Sequence, residues 1–123
     1  ALDMPVAAGE TFCHKYGFRP LLEKKSADIL IVDLQRAGGV TEWMKIATMA
    51  DAWNLPVASH LFPDFSMHLM AAIPNGLILE YMPWWDAIYQ EPPQVKDGYI
   101  RIPDKPGLGL ELDPEAIKRY QMK

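Results

Sequence analysis

Four ionisable residues, Glu10, Asp33, His60 and Glu80, fall in or just after four short apolar runs, at intervals of 23, 27 and 20 residues. His60 is the natural proton carrier among them. A neutral imidazole titrates near neutral pH, so it can take a proton at one step and return it at another. Asp33 follows directly on the preceding run. If the two runs are neighbouring strands, about 4.8 Å apart, the Asp33 carboxylate can accept a hydrogen bond from one ring nitrogen of His60. That bond would fix the tautomer, aim the other nitrogen at a substrate and stabilise the imidazolium once it forms.

Such residues need a scaffold that brings distant parts of the chain to one place. The runs Met4–Ala8, Asp28–Val32, Leu55–Ser59 and Leu77–Tyr81 are rich in β-formers or bounded by turn residues, and are expected as buried strands. Helical patterns lie between them. Pro20 suits the first turn of a helix running to about Lys25, where its missing N–H costs nothing. The stretch Thr41–Trp53 carries Trp43, Ile46, Ala47, Ala50 and Trp53 as one apolar stripe, with Thr41 as the expected N-cap. A third helix is expected over Asp64–Ala72, with Asn75-Gly76 as its stop signal. Strands alternating with helices predict a parallel sheet. Ligands bind at the C-terminal ends of such strands, where the four ionisable residues stand. Their intervals approximate one turn of a (β/α)₈ barrel of about 250 residues.

Beyond Asp86 the pattern changes. Pro92-Pro93, Asp97-Gly98, Pro103 and Pro106-Gly107 break the chain into an extended, turn-rich tail, with room for a turn or two of helix over Pro114–Tyr120. Half the residues are apolar and the net charge is −4, an ordinary globular balance that argues against nucleic acid. No apolar run reaches the roughly 20 residues of a membrane span, and no signal-peptide pattern is present. Cys13 is the only cysteine, so a disulfide within the chain is excluded and a reducing cytoplasm is the expected setting. The absence of H-x-x-E-H or C-x-x-C spacing excludes the common zinc motifs.

The segment Pro5-Val6-Ala7-Ala8-Gly9-Glu10 resembles the fifth-strand segment of the mandelate racemase-like subgroup of the enolase superfamily. Asp33 to Thr41 is similar to that subgroup's sixth-strand D-x-x-[RK]-x-G-G-[IV]-T signature, and Pro56 to Phe62 to its seventh-strand segment. His68 to Ala72, Glu80 and Pro106-Gly107-Leu108-Gly109 match the remaining landmarks in order. The resemblance covers nearly the whole chain. It implies an α/β fold: the C-terminal half of a TIM-type (β/α) barrel, strands five to eight, over residues 1–95. Residues 96–123 would form a tail that packs on the capping domain. That N-terminal capping domain and the first barrel half would lie outside this chain.

The implied activity is Mg²⁺-dependent removal of the proton α to a carboxylate, by way of an enediolate that needs electrostatic stabilisation. A Lys or His base with Mg²⁺ is the established arrangement in enolase-superfamily sites. On this resemblance His60 is the base, Asp33 its partner and Glu10 one magnesium ligand, hard cations preferring carboxylate oxygen. Glu80, the third catalytic candidate, would stand beside the substrate carboxylate or the developing enediolate, where a protonated acid can donate a hydrogen bond. His14 and Arg36 are lesser candidates for substrate contact, and Arg36, part of the strand-six signature, is also a candidate for a supporting ion pair near the dyad. His68 is expected to be a packing residue, Cys13 structural, and Trp84 and Trp85 either a wall over the substrate or a packing surface. Dehydration of a sugar acid is the first expectation and racemisation or epimerisation of a 2-hydroxy acid the second. A non-catalytic half-barrel is the third. Alone, the chain is expected to be inactive and to need the missing barrel half or self-association.

Overall fold

A computed structural model describes residues 3–122. Strands β1 (Ala7–Ala8), β2 (Ile29–Asp33), β3 (Val57–His60) and β4 (Gly76–Ile78) form a parallel sheet in that order. Helices α1 (His14–Glu23), α2 (Leu34–Ala37), α3 (Val40–Ala52) and α4 (Pro63–Ala71) supply the connections. The α/β class is as expected: consecutive strands are neighbours, each reached by a helical crossover, as in a run of barrel units.

The pleat assigns each side chain a layer. Leu30 and Val32 of β2 and Val57 and Ser59 of β3 are fully or almost fully buried, whereas Ile29, Ile31, Ala58 and His60 are only partly covered. The buried set packs with Phe18, Leu22, Trp43, Ile46, Ala47 and Ala50 from the helices. The alternate set includes Asp33 and His60, which are direct register partners. Trp43 locks the layers together, its indole Nε1 donating to the Val32 carbonyl at 3.1 Å.

Several elements depart from expectation. β1 pairs only over Ala7–Ala8, because Val6 spends its N–H on the Asp28 carboxylate and its carbonyl on the N–H groups of Asp28 and Ile29. Pro20 lies inside α1, not in its first turn, since the helix begins at His14. A mid-helix proline costs about 3 kcal/mol; burial of Phe18 and Leu22, four residues apart on the inner face, offsets it. Gly39, not Thr41, is the N-cap of α3. Trp53 leaves the expected stripe and is 46 % exposed. At 100° per residue it lies about 80° round the helix from Trp43, and the helix has ended at Ala52. Asn75-Gly76 does not cap α4: the helix ends at Ala71, and Gly76 opens β4. A Cβ on Gly76 would stand 2.9 Å from the Met70 carbonyl oxygen. The Asn75 amide donates to the carbonyls of Ala47 and Leu55.

Downstream, a 3₁₀ helix over Pro83–Ile88 leads to an antiparallel pair, β5 (Val95–Lys96) and β6 (Tyr99–Ile100), separate from the parallel sheet. Helix α5 (Pro114–Tyr120) closes the described chain, with Asp113 as its N-cap. Two contacts tie this region to α4: Tyr89 donates its hydroxyl to Asp64, and the His68 ring Nε2 meets the Leu108 carbonyl at 3.1 Å. No helix among the described residues is long and apolar enough to cross a membrane.

α1 is held to α3 by Glu42, whose Oε1 accepts from the Lys15 ammonium at 2.8 Å and from the Lys15 N–H at 3.3 Å. The Lys15 hydrogen bond is the main reason the Glu42 carboxyl is held down to about 2 from 4.5. A carboxylate depressed on folding stabilises fully above its unfolded value and loses that contribution as pH falls through its folded value. Glu42→Gln in the full-length protein should therefore lower the melting temperature at pH 6–7. The gap to the parent should close as pH falls from about 4.5 towards about 2. Thermal scans across that range check this, and a gap that stays constant would contradict it.

Candidate active site

Asp33 does two jobs at the end of β2. It is the N-cap of α2, its Oδ1 accepting the Arg36 N–H at 2.7 Å. Its Oδ2 lies 2.7 Å from His60 Nδ1. An ionised carboxylate only accepts, so Nδ1 carries the proton of this bond and Nε2 is the free nitrogen. Asp33 is 3 % exposed, and both of its oxygens are partnered. Parallel pairing sets the pair up, since Asp33 and His60 are opposite each other at the last rung of the β2–β3 ladder.

Glu10 approaches from the other side. It follows Gly9 at the end of β1, and its Oε2 lies 3.7 Å from His60 Nε2, too far for a direct hydrogen bond. Its side chain is 52 % exposed, and no hydrogen bond ties it to another described residue. Gly9 makes this approach possible. Its φ of +130° favours glycine, and a Cβ there would stand 2.7 Å from the Ile31 carbonyl oxygen.

Glu80 lies two residues beyond the end of β4, not within a strand as expected. Its peptide N–H donates to Ser59 Oγ at 2.9 Å, and its Oε2 accepts from the Leu61 N–H at 2.7 Å. Leu61 and Phe62 are consecutive non-glycine residues at positive φ, +53° and +47°. Left-handed backbone costs such residues roughly 1–2 kcal/mol each. The turn is held by the Glu80 carboxylate on the Leu61 N–H and by Ser66 Oγ donating to the Leu61 carbonyl. Phe62 then packs edge-on against Trp85, ring centroids 5.1 Å apart, and Trp85 lies beside Trp84.

Glu10, Asp33 and His60 thus converge directly, and Glu80 joins them through the residues on either side of His60, the Ser59 hydroxyl and the Leu61 N–H. The two lesser candidates do not join by side chain. Arg36 is exposed on α2 and supports the dyad through its peptide N–H, with no ion pair from its guanidinium among the described residues. The expected ion pair is therefore not formed among the described residues: the guanidinium is exposed, and it is the peptide N–H that faces Asp33. His14, also exposed, lies against Gly38, whose added Cβ would stand 3.0 Å from His14 Nδ1. Cys13 is free and exposed, and His68 holds the tail.

Ser59, Gly9 and the Leu61 N–H were not singled out from sequence. A serine in an otherwise apolar strand, directly before the histidine, was the available signal for the first. Tyr81 and Asp86 form a further pair in the segment after Glu80. The hydrogen bond to Asp86 is the main cause pushing the Tyr81 phenol up to about 12, so it remains a donor. Among the described residues no group of three or more His, Cys, Asp or Glu side chains could hold a metal ion. At this strand-end cluster the described residues offer a divalent cation one carboxylate free of hydrogen bonds, Glu10, which fits one corner of a site.

Residues 1–116 match the family described as enolase C-terminal domain-like. D-xylonate dehydratase of Haloferax volcanii is 41 % identical over 97 % of this chain and 31 % of its own length. D-galactarolactone cycloisomerase of Agrobacterium fabrum is 32 % identical over 97 % of this chain and 36 % of its own. Among solved structures, L-talarate dehydratase from Polaromonas sp. JS666, complexed with Mg and L-glucarate, superposes with a TM-score of 0.89. It is 32 % identical over 99 % of this chain and 34 % of its own length. The chain spans about a third of the length of the relatives it matches.

Two glycines separate the close approach at the site from backbone conformation alone. Gly39 also has positive φ, but an added Cβ would meet nothing within 4 Å. Gly9→Ala should cost about 2–6 kcal/mol, the sum of positive-φ strain and a backbone clash, and Gly39→Ala about 1–3 from strain alone. Denaturant unfolding of both variants in the full-length protein checks this. Equal costs would mean that the contact of Gly9 with Ile31 is slack.

Proposed function

The chain belongs to the enolase C-terminal domain-like family, and on that premise we propose that it is the C-terminal part of the barrel of a Mg²⁺-dependent sugar-acid dehydratase. The observation that carries this reading is the Asp33–His60 bond of 2.7 Å, with the free Nε2 turned to Glu10 across 3.7 Å. The dehydratase relative and the neighbour complexed with Mg and L-glucarate support the substrate class. The capping domain and the first barrel half would be supplied by the rest of the protein, and residues 96–123 would return to that capping domain.

Glu10 would hold one corner of a Mg²⁺ site, with the other ligands coming from outside this chain; the bound ion would supply positive charge that lowers the cost of an enediolate. Asp33 holds the Nδ1–H of His60, so Nε2 presents its lone pair to the α-carbon and removes the α-proton. The buried Asp33 carboxylate then stabilises the imidazolium. The β-carbon–oxygen bond breaks, His60 gives its proton to the departing hydroxyl, and the enol product becomes the 2-keto acid. Glu80 stands at the rim of the same site, one carboxylate oxygen spent on Leu61 and the other open to substrate. Proton abstraction by the same half-site would also serve a racemase or a cycloisomerase, whose distinguishing groups come from elsewhere in the barrel.

His60→Asn in the full-length protein should lower turnover of a sugar acid by at least about 10²–10⁴-fold, with the fold intact. Asp33→Asn should cause a large loss of its own, because the amide cannot support the imidazolium charge. Steady-state kinetics with Mg²⁺ and a panel of sugar acids measure both. Residual activity of His60→Asn within a few-fold of the parent would remove His60 from the mechanism.

A further inference from the structure

β3 and β4 part just where the chemistry begins. Their ladder pairs Val57 with Gly76 and Ala58 with Ile78, with a register shift between the two rungs, and the strand ends at Ile78. Glu80 therefore has no backbone partner on β3. Its N–H is taken by Ser59 Oγ at 2.9 Å, while its carboxylate crosses back to the Leu61 N–H at 2.7 Å. These two bonds grip the residue before His60 and the residue after it. Ser59 is 2 % exposed and stands on the helix-facing side of the pleat, so its hydroxyl lies away from the site while its bond reaches into it.

We propose that Ser59 is a positioning residue of the proton-transfer site, which, through Glu80, fixes the backbone on which His60 is mounted. This rests on the proton-transfer reading above. Asp33 controls the ring of His60 and the β2–β3 ladder holds its Cα from one side, but on the β4 side the ladder stops at Ala58 and leaves that flank to Ser59 and Glu80. The turn beyond His60 is left-handed at Leu61 and Phe62, and so needs outside support. Glu80 supplies that support only if it stays in reach of Leu61, and Ser59 keeps it there. Removing the hydroxyl frees Glu80 to move, leaves its N–H without a partner, and lets the Leu61–Phe62 turn relax. Nε2 then drifts relative to the α-carbon. A misplacement of about 1 Å in a reacting group costs roughly 10²-fold in rate. Ser59 does not itself touch substrate, so the loss should fall mainly on kcat; KM should move far less, and only as far as the displaced Glu80 weakens its own contact with the acid.

The test is Ser59→Ala in the full-length protein, read in two ways. With Mg²⁺ and a sugar acid, kcat per folded enzyme should fall by about 10- to 100-fold with KM within about threefold. Without metal or substrate, ¹⁵N-histidine NMR should show the His60 ring signal broadened or doubled, where the parent gives one sharp set. A purely structural serine would lower the yield of folded protein and leave both readouts unmoved. If Ser59→Ala is insoluble, Ser59→Cys, with a similar volume and a poor acceptor, is read by the same two measures. A kcat within about twofold of the parent together with an unchanged ring signal overturns the proposal. If the parent turns over no acid, the dehydratase reading fails instead, and the ring signal alone decides the role of Ser59.

Discussion

A buried carboxylate must be paired to be tolerated, and Asp33 is paired twice. One oxygen caps helix α2 and the other holds the imidazole of His60, so a single side chain joins the course of the backbone after β2 to the orientation of the ring. The cap leaves Asp33 little freedom, and His60 inherits that rigidity. Substituting Asp33 would be felt at both ends: α2 would lose its cap, worth typically about 1 kcal/mol, and the ring would lose the acceptor that selects its tautomer.

The rest of the sheet serves this pair. Parallel pairing puts Asp33 and His60 on one rung, and the pleat turns both away from the helix layer. Trp43 anchors β2 from behind through the Val32 carbonyl, one residue before Asp33. Beyond His60 regular structure stops and strain begins, with two left-handed residues held by Glu80 and Ser66. Stored backbone strain at such a place is the usual companion of a site that needs a side chain aimed against the run of its strand.

The first three strand ends were legible to within a residue because hydrophobic runs set them; the fourth was placed three residues too far, and Glu80 lies beyond β4. Asp33 and His60 needed only that their strands be neighbours. Helix boundaries were less legible. Pro20 looked like a first-turn proline because local chemistry favours it there, yet the burial of Phe18 and Leu22 draws the helix back to His14. Gly76 looked like a cap because Asn-Gly commonly is one; a close approach to Met70 is the actual reason for a glycine there. The supports of the site were least legible of all. Ser59 binds Glu80 because the β3–β4 ladder shifts register, and Gly9 is required by a carbonyl on a different strand. Both depend on tertiary distances that a local sequence pattern does not encode. The substrate contacts expected for His14 and Arg36 depend on side-chain direction; both side chains are exposed, and among the described residues neither is hydrogen-bonded by its side chain to the dyad.

In the proposed reaction a proton-transferring imidazole, aimed by Asp33, faces a metal-bound acid across from Glu10. A crystal structure of the full-length protein with Mg²⁺ and an unreactive sugar-acid analogue tests this most directly. The expected result is Mg²⁺ coordinated by Glu10, His60 Nδ1 still on Asp33, and Nε2 within about 3–3.5 Å of the analogue's α-carbon. Mg²⁺ bound without Glu10, or a His60 ring turned away from the analogue, would contradict it.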